Sequence, residues 1–152
     1  MKKICLALAA AAAVCSAQAA PVTYVSDPTH TFVLYETAHM GISTNRGRFE
    51  KVDASITLDA AKKTGSVQVN IAPASVHTGV AALDEHLQSK DLFNVAQYPS
   101  VTFKGDQFSF DAKGNVQSVA GSLTLLGKAL PVTLQAKHFA CFDNPMTKRQ
   151  TC

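Results

Sequence analysis

Histidines beside carboxylates are the first residues whose types could do chemistry. His30, His39 and His86 stand near Asp27, Asp84 and Glu85, and imidazole with carboxylate is a common zinc set. Brought together, they would serve a metal-dependent redox protein or hydrolase. The spacing does not favour it. His30 and His39 are nine residues apart, and on one regular strand an odd separation puts them on opposite faces. Asp84, Glu85 and His86 are consecutive, and helix neighbours point about 100° apart, too divergent to share one ion. Hydrogen-bonded structural histidines are the favoured alternative, and no metal or catalytic residue is expected.

Two guanidinium groups are the next candidates. Arg46 and Arg48, two residues apart, can project to the same side of an extended strand, where arginine suits bidentate phosphate binding. Solvated turn charges are the plainer alternative. Nucleophilic chemistry has less support: no serine stands in a G-x-S-x-G elbow, and Gly47 is isolated, so there is no Gly-rich phosphate loop.

The start of the chain sets the compartment. Lys2 and Lys3, the uncharged run Ile4 to Val14 and the small residues around Ala17-Gln18-Ala19 read as a secretory signal peptide, residues 1–19, cut after Ala19. The run falls well short of the roughly twenty apolar residues a spanning helix needs, so no transmembrane anchor is expected. Val14 before Cys15 argues against a lipid-modified cysteine. Residues 20–152 then form one exported domain. Of 14 Lys and Arg against 11 Asp and Glu, Lys2 and Lys3 leave with the leader, so 12 face 11. Near-neutrality without a basic block excludes nucleic acid as a partner. Of 4 cysteines, Cys5 and Cys15 also leave, and Cys141 with Cys152 reads as a disulfide in an oxidising compartment.

Short strands must position these residues. From Thr31 onward apolar residues recur with period two, bounded by Gly, Pro, Asn or Asp. Val33 and Tyr35 alternate with Phe32 and Leu34, a strand apolar on both faces. Val52 to Leu58 and Val67 to Ile71 follow, then Val101 with Phe103, Phe108 with Phe110, Val119 to Leu125, and Val132 to His138, with Gly127 and Pro131 flanking the last turn. Between Val80 and Phe93, Leu83 and Leu87 fit a short helix able to cap a barrel end. The fold class is therefore all-β, an antiparallel barrel or sandwich with one short helix. Phe32, Tyr35, Phe49, Phe93, Phe103, Phe108, Phe110 and Phe139 lie mostly on or beside strands. They either fill a core or line a cavity for one elongated ligand.

Three ordered blocks carry a family resemblance. Asp27-Pro28-Thr29-His30-Thr31 with His39 to Phe49 is the first, and His77-Thr78-Gly79 with Asp84 to Asn94 and Tyr98 to Phe103 the second. Gly121 to Gly127 with Pro131-Val132 is the third. Together they span nearly all of the chain after the leader, and they resemble the YceI-like family. The resemblance implies a lipocalin-like antiparallel β-barrel, usually periplasmic, whose apolar cavity binds a polyisoprenoid such as an isoprenoid quinone or a polyprenyl phosphate. It implies a binding protein rather than an enzyme, with the lipid as ligand and no cofactor. It places Val33, Tyr35, Phe49 and Phe103 toward the cavity and His39, Arg46, Arg48, Asp84 and His86 near a polar mouth, where Asp84 and His86 could also brace the helix. Leu83 departs from the basic residue many relatives have. Relatives also continue past Cys152 with about two strands, so the barrel is expected to stay incomplete, with exposed edges prone to aggregation or to pairing in a homodimer.

Overall fold

In the computed structural model, which describes residues 20–152, the period-two segments become antiparallel strands. The expected leader at 1–19 lies outside the described residues. The main sheet has the order β1 (Val22–Val25), β4 (Val52–Asp59), β5 (Thr64–Ile71), β7 (Val101–Phe110), β8 (Val116–Leu125) and β9 (Lys128–Gln135). A second sheet joins β2 (Val33–His39), β3 (Ser43–Phe49) and β6 (Val76–His77). A small hairpin pairs β10 (Phe142–Asp143) with β11 (Gln150–Thr151). Among the described residues the one α-helix, α1 (Ala81–Gln88), follows β6.

Register explains how the apolar residues meet. Val52, Ala54 and Ile56 oppose Ile71, Val69 and Val67, which in turn oppose Val101, Phe103 and Gly105. Directly opposed residues share a face, so one side of the sheet becomes a continuous apolar layer. Phe49, Val52, Ile71, Val76 and Val101 form one buried cluster, on which Val33, Tyr35, Leu87, Phe93 and Leu123 pack. Val67, Phe103 and Val119 form another, and Val69 and Leu123 touch both. The second sheet and α1 are thus tied to the main sheet through the apolar layer.

Several elements differ from the sequence expectation. Phe103 and Phe108 belong to one strand, not two, because a bulge at Asp106 separates the pairs Gly105 with Gly121 and Gln107 with Ala120. The extra residue changes the parity, so Phe108 packs on the same cluster as Phe103. The turn between β8 and β9 is Leu126-Gly127, both with positive φ, and Pro131 lies inside β9 opposite Ser122. Among the described residues β9 has β8 as its only neighbour, and a proline is admissible on such an edge. That strand ends at Gln135, short of His138. The period-two pattern gives no sign of β1, β3, β6, β10 or β11, and His30 sits in a turn before β2, not on it.

A closed barrel is not formed by the described strands. β1, β2 and β9 each have a single neighbour, so the wall is open. The outer side of β2 is also uncovered: Leu34 is 70% exposed, whereas Val33 and Tyr35 on the other side are half-buried. The doubly apolar strand therefore packs on one face only.

Candidate functional site

The inner apolar face is built on a glycine. Tyr35 of β2 opposes Gly47 of β3, and a Cβ at Gly47 would stand 2.6 Å from the Tyr35 hydroxyl oxygen and 2.7 Å from the ring. Only a residue without a side chain lets the ring lie flat across β3. Tyr35 then meets Phe49, ring centroids 5.7 Å apart, and Phe49 meets Phe93 edge-on at 5.4 Å. Phe93 is brought there by the turn after α1, where its backbone N–H donates to the Leu87 carbonyl at 2.9 Å. Phe103 lies deeper, 3% exposed, in the adjoining cluster. Val33, Tyr35, Phe49 and Phe103 thus share one apolar layer.

This layer runs on, uncovered, over β8 and β9. Val119, Gly121 and Leu123 oppose Leu134, Val132 and Leu130. Val132 packs against the buried cluster, yet Leu130 remains 49% and Leu134 43% exposed. Large aliphatic side chains facing the same way as a phenylalanine core but open to solvent mark a surface that gains from a cover. The sequence marks Leu87 on the helix stripe, Phe93 among the aromatics and Leu134 on a strand, but none of them, nor Leu130, is among the residues that the resemblance places toward the cavity. The even spacing of Leu130, Val132 and Leu134 was the available signal, masked by reading Pro131 as a turn residue.

The polar residues separate into three groups. Arg46 and Arg48 lie opposite Glu36 and Leu34, on the other side of the hairpin from Tyr35 and Phe49. Arg46 donates to Glu36 at 2.7 Å, and Arg48 donates through two nitrogens to Glu50, at 3.0 and 2.7 Å, while lying 5.6 Å from the Phe32 ring centroid. His39 ends β2, exposed, with the parity of Val33 and Tyr35. Asp84 braces the helix: it accepts the Thr78 backbone N–H at 2.8 Å and the Thr78 hydroxyl at 2.6 Å, and faces His77 Nδ1 at 3.5 Å. The Thr78 hydroxyl, above all, holds the Asp84 carboxyl below its ordinary range despite its partial burial. Burial raises the Tyr35 phenol, and the negative charge of Asp84 adds to that. His77 and Thr78, not His86, are therefore the partners of Asp84, while His86 is exposed on α1.

His30 is tied into its own turn. Its Nδ1 lies 2.8 Å from Asp27, which also accepts from the Thr29 hydroxyl and backbone, and these bonds, the Thr29 hydroxyl first, hold Asp27 down to about 2. Among the described residues, no three His, Cys, Asp or Glu side chains converge as a metal-holding group. Two grooves of about 360 and 560 Å³ are lined mainly by polar side chains, the first by Ser55, Thr57, Gln68 and Lys104, the second by Asp111, Asn115 and Gln135. The sulfurs of Cys141 and Cys152 stand at bonding distance, 2.14 Å, across the small hairpin. No helix of the described residues is long and apolar enough to cross a membrane.

Comparison with known proteins agrees with this layout. A UPF0312 protein of Pseudomonas aeruginosa is 36% identical over 149 residues, covering 95% of this chain and 77% of its own length. Protein YceI of Escherichia coli is 37% identical over 131 residues, covering 86% and 68%. Among solved structures, a Campylobacter jejuni YCEI protein matches at 28% identity over 84% of this chain and 74% of that one, TM-score 0.61. Burkholderia cenocepacia BcnA matches at 29% identity over 78% and 71%, TM-score 0.59. Residues 24–149 match the YceI-like domain, and the chain belongs to the YceI-like family.

Proposed function

We propose that the apolar inner face holds the tail of an isoprenoid lipid, an isoprenoid quinone or a polyprenyl phosphate, and that the protein sequesters or carries it in the periplasm without catalysing a reaction. The observation that carries this reading is the unbroken apolar layer from Tyr35 and Phe49 to Leu130 and Leu134, buried at one end and open at the other. Membership of the YceI-like family supports it. An isoprenoid tail offers no polar group to satisfy, and each buried CH₂-sized unit contributes ~0.8 kcal/mol. A tail of several prenyl units therefore supplies enough attraction without a charged contact.

Val33, Tyr35, Phe49 and Phe103 are the proposed tail contacts, joined by Leu130 and Leu134. His39 and Asp84 are the proposed headgroup neighbours, with His86 on the same helix. Arg46 and Arg48 could join them only by leaving Glu36 and Glu50. Cys141 and Cys152 are proposed to be disulfide-bonded in the oxidised protein.

Organic extraction of the purified protein followed by mass spectrometry tests the reading. We expect a stoichiometric prenyl lipid, or uptake of added quinone by an emptied sample. Neither a prenyl lipid nor uptake would overturn it.

A further inference from the structure

We propose that the hairpin of β10 and β11 is a docking element for an anionic membrane surface, a role separate from the lipid-holding face. Its shape is set locally. Phe142 and Asp143 pair with Thr151 and Gln150, and the sulfurs of Cys141 and Cys152 meet at its base. The Asn144 side chain accepts the backbone N–H groups of Met146 and Thr147 at 2.9 and 3.2 Å, which fixes the turn. Its backbone N–H donates to Arg149 at 2.9 Å, and its carbonyl accepts from Lys148 at 2.9 Å. The result is a short, internally bonded projection.

What it projects is apolar and cationic together. Met146 at the tip is 90% exposed, Phe142 57% and Phe139, just before the hairpin, 45%. Lys137, Lys148 and Arg149, close to them in sequence, are exposed, and among the described residues none lies within ion-pair distance of a carboxylate. From residue 137 onward three cationic side chains face one carboxylate, Asp143, whereas residues 20–136 carry 9 Lys and Arg against 10 Asp and Glu. The positive charge of the described protein is thus concentrated where bulky apolar side chains are bare. That pairing suits the headgroup boundary of an anionic bilayer, which takes apolar side chains into its surface and attracts cations electrostatically. The other exposed apolar tip, Met40 and Ile42, lacks this match, since Arg46 on its hairpin is already paired with Glu36.

Vesicle flotation tests the proposal, with vesicles of phosphatidylethanolamine and phosphatidylglycerol compared with phosphatidylcholine alone. All are free of isoprenoid lipid, and the phosphatidylcholine vesicles read whatever the uncovered apolar face contributes, so failure here leaves the carrier reading standing. We expect binding at least ten-fold stronger to the anionic vesicles and weakened by salt. It should fall about five-fold for each cation removed in Lys148→Asn and Arg149→Gln, and be lost in Phe142→Ser with Met146→Ser. The charge variants alter only exposed side chains, so they report even where the apolar double variant fails to fold. Equal binding to both vesicle types, no binding, or binding unchanged in the charge variants would overturn the proposal, including the case in which a protein partner occupies this hairpin instead.

Discussion

Gly47 shows how one missing side chain organises the inner face. A methyl group there would collide with the Tyr35 ring, forcing it off the position from which it meets Phe49. We expect Gly47→Ala to lower stability by about 1–3 kcal/mol, the usual scale of overpacking, and to weaken quinone uptake; urea unfolding alongside uptake measures both. An unchanged midpoint would mean that Tyr35 is free to move aside. Asp84 sets a pH dependence of definite sign. Its folded value lies below the ordinary 3.8, so its bonds to Thr78 contribute stability that is complete above about pH 5 and is lost as pH falls through the folded value. The Thr78 amide resonance should therefore titrate with a midpoint under 3.8, and the step should vanish in Asp84→Asn. A midpoint above 3.8 would show that the carboxylate is not held by Thr78.

At the scale of elements, α1 rests on few attachments. Asp84 ties it to the end of β6, and Leu87 packs into the buried cluster beside Phe93. Leu87→Ala should cost about 1–2 kcal/mol, less than for a fully buried leucine because Leu87 is only half-buried; chemical denaturation followed by circular dichroism reads it. The small hairpin has its own energetics. Closing an 11-residue separation with a disulfide contributes up to ~3 kcal/mol by restricting the unfolded chain. A thiol assay on denatured, unreduced protein freed of its leader should find no reactive group, and two reactive thiols would contradict the pairing. Strands β4, β5, β8 and β9 were legible because their apolar residues alternate. β3 was not, because its inner positions Asn45 and Gly47 carry no apolar side chain, and its neighbours β2 and β6 supply the pairing that its sequence does not advertise. β1 is only four residues long. Within the site, Tyr35, Phe49 and Phe103 were legible as aromatics on strands. The true partner of Asp84 was not, because it depends on where β6 ends relative to α1.

Across the whole molecule, the open wall decides behaviour in solution. Among the described strands, β9 presents a free edge whose neighbouring face carries Leu130 and Leu134, and β1 and β2 present further edges. Unpaired edges next to bare apolar surface recruit other strands, so concentration-dependent self-association is expected in sedimentation equilibrium. A single monomeric species across the range would contradict it. Self-association and lipid holding draw on the same uncovered face, so added lipid should shift the distribution toward smaller species.

The apolar layer as the seat of an isoprenoid tail is tested most directly by photo-crosslinking with a quinone whose prenyl tail carries a photoreactive group. Mass spectrometry of the labelled peptides should place the adducts on the inner side, at Tyr35, Phe49, Phe93, Leu130 or Leu134. Adducts confined to the polar outer groove around Ser55 and Lys104, or labelling no stronger than that of an unrelated β-protein, would contradict it.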